Sequence, residues 1–206
     1  MERGTLITIE GIDGAGKSTL AAGLGDSLRE RGREVTVLRE PGGVAASERV
    51  RELVKDPQLR IGARAEALLY AAARAQLVEE ALLPLLQGDR WVVLDRFVDS
   101  SLAYQGAGRQ LGIEPVRTIN EFATDSLHPV RTLLLSLDPV VGRARAQQRA
   151  EPVDRLEQEA DPFFDRIAAA YAELARSDPA RIRVLDAGQP QEAVLAAALA
   201  ELRDLF

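Results

Sequence analysis

The stretch TLITIEGIDGAGKST, residues 5–19, decides the fold. Its opening is apolar or β-branched up to Glu10 and reads as a buried strand from Leu6 to Glu10. Gly11, Gly14 and Gly16, followed by Lys17 and Ser18, meet the spacing G-x-x-x-x-G-K-[ST]. From Lys17 a helical pattern runs to Arg31 and ends near Gly32. Small backbone between strand and helix lets successive N–H groups point inward at an anion, and the helix N-terminus adds its positive end. In such a loop the lysine ammonium spans the β and γ phosphates of a nucleotide, and the hydroxyl after it holds Mg²⁺. The chain therefore reads as a P-loop nucleotide-binding protein, a class that includes hydrolases, switches and kinases.

The lysine is informative because lysine is rare here. Of 26 basic residues only Lys17 and Lys55 are lysines. A compact ammonium fits between two phosphates as a planar guanidinium does not.

Outward from the loop, strands and helices alternate. Glu34 to Leu38, 91–95 (WVVLD), 132–138 (TLLLSLD) and 181–187 (RIRVLDA) read as four further strands. Helical patterns cover Val44 to Lys55, Arg64 to Leu86 with Pro84 marking a kink or boundary, 159–176 and 191–204. Short strands apolar throughout, alternating with helices, predict a five-stranded parallel sheet in a three-layer α/β/α domain, with ligands at the carboxyl ends of the strands.

With 206 residues, one domain is expected; 46% hydrophobic and 28% charged residues fit a folded globular chain. A net charge of -6 argues against a nucleic-acid coat or a membrane-surface protein, so cationic sites must be local. The absence of cysteine removes disulfides, thiolate metal sites and cysteine nucleophiles, and the single His128 is expected in a loop or on the surface. No targeting segment or run of 18 apolar residues stands out, so a soluble, cytoplasmic protein is expected.

Asp95 closes the third strand beside the loop, where an acid faces the Mg²⁺ water shell, and Arg96 next to it would oppose a second anion. The pair would otherwise be an ion pair at a strand end. After it, if a helix begins at residue 99, Ser100, Ser101 and Tyr104 converge on one side, either as ligands or as a capped helix start with a core tyrosine. Tyr70 and Arg74, four apart on the long helix, suit a stacked and hydrogen-bonded base or a place in the core. In GRARAQQRAEPVDRLEQE, residues 142–159, Arg145 and Arg149 share a helix face and Arg143 lies around from them. They form either a solvated face or a mobile lid that closes on a transferring phosphoryl group.

Taken in order, EGIDGAGKST, REPGG, YAAARAQLVEE, DRFVDSSLAYQGAGR, DRLEQE and DAGQP resemble the thymidylate kinases, which make dTDP from dTMP and ATP. The resemblance spans essentially the whole chain, and DRFVDSSLAYQGAGR is its most specific part. It implies one P-loop nucleoside monophosphate kinase domain over residues 1–206 with a lid at about 142–158. It also implies Mg²⁺ with ATP, and a homodimer. ATP contacts are implied for Gly11, Ile12, Asp13, Gly14, Ala15, Gly16, Lys17, Ser18, Thr19, Arg143, Asp186 and Gln189, the last two close to adenine.

On the acceptor side the resemblance implies that Asp13 faces the nucleotide near its sugar and phosphate, while Arg96 holds the dTMP phosphate. Tyr70, where phenylalanine is usual, stacks on thymine; Arg74 bonds the base, with Ser100, Ser101 and Gln105 nearby. Tyr104 crowds the position of a 2′-hydroxyl, and Arg39, Glu40 and Pro41 flank the site. Metal contacts fall to Ser18 and Asp95. One group in the family carries an arginine inside the P-loop and the other in the lid; Asp13 is followed here by Gly14 and Ala15, so the chain resembles the second, bacterial group. Lys17, Arg96, Asp13 and the lid residues Arg145 and Arg149 are then the catalytic set. A kinase for another nucleotide or deoxynucleoside is the nearest alternative, and a regulatory NTPase a more distant one, since no guanine-reading N-K-x-D motif occurs.

Overall fold

The computed structural model describes residues 4–148 and 154–206. Five strands form one parallel sheet: β1 (Thr5–Gly11), β2 (Glu34–Arg39), β3 (Arg90–Asp95), β4 (Arg131–Ser136) and β5 (Ile182–Asp186), in the order β2-β3-β1-β4-β5. Side chains alternate across its faces, as the pleat requires. Ile7 and Ile9 of β1 join Trp91 and Val93 of β3 in one apolar cluster, whereas Leu6 joins Val92 and Leu94 in another. Helices cover both clusters, which gives the three layers.

Helix α1 (Lys17–Glu30) buries Leu20, Leu24 and Leu28, one stripe at four-residue spacing, with Leu24 and Leu28 at zero exposure. Cutting such a leucine to alanine costs about 2–5 kcal/mol. α8 (Asp161–Ser177) and α9 (Gln191–Ala200) contribute to the same cluster, while α3 (Ala63–Leu77) contributes to the second. α2 (Ala45–Lys55) packs on α3, and α3 on α6 (Ile113–Thr124).

Local chemistry moves several boundaries from those expected. The helix predicted over Arg64 to Leu86 is α3, then a π-helical stretch Val78–Leu82, then α4 (Leu83–Leu85). Pro84 lies in that last short helix, directly after the wider turn. β4 stops at Ser136, short of the predicted 138, because Asp138 caps α7 (Pro139–Gln147): its carboxylate accepts from the Val140 N–H at 2.8 Å, and Pro139 starts the helix. α9 ends at Ala200, ahead of a 3₁₀ turn over Arg203–Leu205.

The register brings the strand ends to one edge. Asp95 lies opposite Ile9 on one side and Arg39 on the other. Glu10 and Gly11 of β1, Glu40 after β2 and Arg96 after β3 follow directly, so three chain segments meet where a ligand would sit.

Candidate active site

Between β1 and α1 the phosphate loop turns through Gly14 at φ 79°, a conformation that favours glycine. A Cβ on Gly14 would lie only 2.0 Å from the carbonyl oxygen of Gly142 in α7, so this backbone contact requires glycine. Lys17 folds back over the loop, its Nζ donating to the Ile12 carbonyl at 2.8 Å and lying 4.0 Å from Asp13. Burial, with the Arg96 charge close by, lowers its pKa to about 8, against the pull of Asp13 and Asp95. Ser18 Oγ donates to Asp95 Oδ2 at 2.6 Å.

β3 ends at Asp95, and Arg96 follows at φ 72°, a conformation that costs a non-glycine residue about 1–3 kcal/mol. Hydrogen bonds on both sides of the turn hold it: Arg96 N–H donates to the Ile9 carbonyl at 3.0 Å, and Phe97 N–H to Glu10 Oε1 at 2.7 Å. The guanidinium is thereby directed back at the phosphate loop. Its Nη2 donates to Asp13 Oδ1 at 2.5 Å and to the Tyr104 hydroxyl at 3.2 Å, while Tyr104 donates to Asp13 Oδ2 at 2.9 Å. Nη1 donates to the Gly11 carbonyl and to Ser100 Oγ. Burial opposes its charge, yet Tyr104 and Asp13 hold its pKa well above the usual value.

The helix expected after Asp99 is α5 (Val98–Ser101), running into a π-helical stretch Leu102–Gly108. Its two serines serve different arginines. Ser100 donates to Glu10 Oε2 at 2.5 Å and accepts from Arg96; Ser101 accepts from Arg74 Nη1 at 2.9 Å. Glu10 is buried, pushed up to about 7 by that burial and by Asp99, and it also accepts from the Tyr171 hydroxyl.

All three nitrogens of Arg74 are engaged by the protein: Nε with Glu40 at 2.8 Å, Nη1 with Ser101 and Asn120, and Nη2 with the Phe97 carbonyl at 2.9 Å. It lines the cavity, but as a braced wall with its donors committed. Gln105 spends its amide N–H on Glu66 at 2.9 Å. Burial raises the pKa of the Tyr70 hydroxyl, so it stays neutral beside a ring presented to the same cavity.

That cavity measures about 670 Å³. It gathers Asp13, Gly14, Gly16, Lys17, Ser18, Thr19, Arg39, Glu40, Pro41, Tyr70, Arg74, Asp95, Arg96, Ser100, Ser101, Tyr104, Gln105 and Arg145 from the sequence-derived set. Gly11, Ile12 and Ala15 do not line it, and Ile12 and Ala15 are buried in the main apolar cluster. Arg145 also donates to the Ala187 carbonyl at 3.0 Å, which joins α7 to the 186–189 turn, where Asp186 accepts from Gly188 N–H and Gln189 at 2.8 Å each. Asp186 and Gln189 are exposed and lie outside the cavity wall. Arg143 departs from expectation: it pairs with Asp161 and lies over the Phe164 ring, turned to α8 instead of the cavity. Arg149 lies outside the described residues.

Sequence reading missed Arg51, Lys55, Asp154, Leu156 and Glu157, which complete the wall. It also missed Glu10, although an acid closing an otherwise apolar strand was a usable signal. Nothing in the local sequence marks Asn120.

Ser18 and Asp95 offer hard oxygens at a helix N-terminus, the donors Mg²⁺ takes when phosphates supply the rest of its shell. The described residues hold no cluster of three or more metal-binding side chains, which such a shared site does not need.

A family model described as thymidylate kinase matches residues 9–198. A thymidylate kinase of Deinococcus radiodurans is 48% identical over 93% of each chain, and one of Halorhodospira halophila 44% identical over 100% of this chain and 96% of its own. Among solved structures, thymidylate kinase from Ehrlichia chaffeensis superposes with a TM-score of 0.80 at 26% identity, covering 98% of this chain and all of that one.

Proposed function

The chain belongs to the thymidylate kinase family, whose reaction is ATP-dependent phosphorylation of dTMP, and from that premise we propose how its residues divide the work. The supporting observation is that the phosphate loop and Arg96 share one cavity, with Asp13 of the loop paired to Arg96. Lys17 and the loop N–H groups take the β and γ phosphates of ATP; Arg96, aimed by Asp13 and Ser100, takes the dTMP phosphate. Ser18 and Asp95 would hold Mg²⁺, which would supply positive charge against the β and γ phosphates of ATP.

The acceptor is already an ionised phosphate oxygen, so no general base is required. Catalysis consists of alignment and neutralisation of charge on the transferring group. Residues 142–158 act as a lid, with Arg145 or Arg149 reaching the phosphoryl group and the whole chain forming one kinase domain. Tyr70 stacks on thymine, with Arg74 in the same cavity wall. Tyr104, fixed by Asp13 and Arg96, crowds the 2′ position and favours deoxyribose.

Leu53 of α2, Leu68 of α3 and Phe122 of α6 are exposed on helices that pack in series, Phe122 at 92%. Exposed apolar side chains on these helices are what a homodimer would cover, and sedimentation at working concentration tests it. Among the described residues no helix is long and apolar enough to cross a membrane; a cytoplasmic location is the reading adopted. The assignment of acceptor is tested by following ADP release with Mg²⁺ and ATP against a panel of nucleoside monophosphates. Release dependent on dTMP supports it, and equal release without any acceptor contradicts it.

A further inference from the structure

The two prongs of the Arg96 fork are held from different sides. Nη2 is gripped by Asp13 and Tyr104 at the phosphate loop. Nη1 donates instead to the Gly11 carbonyl at 3.3 Å and to Ser100 Oγ at 3.1 Å. A hydroxyl rotates about its C–O bond and can donate or accept, so Ser100 directs Nη1 only if its own proton is fixed. Two buried side chains do this. Glu10 Oε2 takes that proton at 2.5 Å, while the Tyr171 hydroxyl lies 3.0 Å from Ser100 Oγ and donates to the same Glu10 oxygen at 3.0 Å. Through Oε1, which accepts from Phe97 N–H at 2.7 Å, Glu10 also holds the backbone just after Arg96.

The charges around this cluster single out Glu10. Asp99, the other buried acid here, is occupied by Arg181, whose Nη1 lies 2.6 Å from Oδ2 and whose Nη2 lies 3.1 Å from Oδ1. Among the described residues Glu10 makes no direct ion pair, and its partners are one amide and two hydroxyls. A buried carboxylate so held is costly, and an apolar side chain would serve packing better. Its charge reaches Arg96 through Ser100. Tyr171 comes from α8, which gives no residue to the cavity wall, so its hydroxyl also meets the acceptor side only through Glu10 and Ser100.

We propose that Glu10 and Tyr171 are positioning residues for the acceptor phosphate. By fixing the proton of Ser100 they hold Nη1 of Arg96 in the direction a phosphate monoester needs, and neither touches the nucleotide. This rests on the reading of Arg96 as the residue that takes the dTMP phosphate.

The test isolates the phosphate by comparing dTMP with thymidine, which shares its base and sugar. Titrations are run at about pH 8, where Glu10 is ionised, with dTMP followed by calorimetry and thymidine by competition against it. The ratio of the two affinities is read in the parent chain and in Tyr171→Phe, Glu10→Gln and Arg96→Ala. Tyr171→Phe keeps the ring and loses the hydroxyl; Glu10→Gln keeps the shape but presents N–H groups where Ser100 and Tyr171 need an acceptor. The ratio should fall about fivefold in the first and about tenfold in the second, with thymidine and Mg²⁺-ATP affinities held within about threefold. A merely structural role would weaken dTMP and thymidine together and leave the ratio as in the parent chain. That result, or no change at all, overturns the positioning role. Arg96→Ala separates this failure from failure of the site: if it collapses the ratio while the other two variants keep it, the site stands and the positioning role is wrong. If Arg96→Ala itself keeps the ratio, the phosphate does not sit on Arg96 and the proposal falls with that reading. Should Glu10→Gln fail to fold, Tyr171→Phe carries the comparison alone.

Discussion

Arg96 Nη2 lies 2.5 Å from Asp13 Oδ1, an ion pair that spans 83 residues of sequence and joins the end of β3 to the phosphate loop. Its carboxylate also accepts from Tyr104. Because a guanidinium is a fork, its direction matters as much as its charge. Asp13→Asn keeps the shape but weakens that hold. It should lower kcat/KM for dTMP about a hundredfold with a much smaller change in ATP affinity. Steady-state kinetics with each substrate varied in turn checks this.

Tyr104 carries two separable properties, a hydroxyl shared between Arg96 and Asp13 and the bulk of a ring lying 4.9 Å from the Arg96 guanidinium. Tyr104→Phe should keep discrimination against a ribonucleotide acceptor while losing turnover. Tyr104→Ala should relax the discrimination. Unchanged selectivity in the alanine variant would show that the ring does not exclude the 2′-hydroxyl.

The two arginines of the proposed lid, Arg145 and Arg149, are expected to act differently. Arg145 bonds the Ala187 carbonyl, so Arg145→Ala should weaken ATP binding along with turnover. Arg149→Ala should lower kcat by about two to three orders of magnitude and leave dTMP binding nearly intact, as for a contact made mainly in the transition state. Calorimetry beside turnover distinguishes the two. A matching loss of dTMP affinity in Arg149→Ala would move that residue to the acceptor site.

Glu10 makes stability depend on pH. Its carboxyl is raised from 4.5 to about 7 by burial and by Asp99. A group raised on folding binds its proton more tightly in the native state, so its stabilising contribution is complete below 4.5 and is lost as pH climbs through about 7. Relative to Glu10→Gln, the unfolding free energy of the parent chain should therefore fall with rising pH across that interval, by at most about 3 kcal/mol. Urea unfolding of both proteins at about pH 5 and about pH 8 measures the difference. A constant difference would mean that Glu10 ionises as freely folded as unfolded.

What the sequence made legible was local. Gly11 to Ser18 declare themselves because the spacing is short and the chemistry sits in the backbone, and the strands because an enclosed parallel sheet leaves unbroken apolar runs. The site residues that departed from expectation are governed by distant partners. Arg74 meets Glu40 across 34 residues and Asn120 across 46, so its committed donors leave no mark in the helix around it. Arg143 is drawn off the cavity by Asp161, 18 residues ahead. The π-helical stretch over Leu102–Gly108 keeps an apolar spacing close to that of an α-helix, although it carries Tyr104 and Gln105 into the wall. Arg96 at positive φ is a further case: nothing about an arginine announces a left-handed turn, and only Glu10 and Ile9 together explain why it persists.

The central claim is a division of one cavity into two phosphate sites, donor at Lys17 and acceptor at Arg96. Calorimetric titration of Arg96→Ala with dTMP and, separately, with Mg²⁺-ATP tests it most directly. The account predicts dTMP affinity reduced at least about a hundredfold with ATP affinity held within about threefold. Equal losses for both nucleotides, or loss of ATP alone, would contradict it.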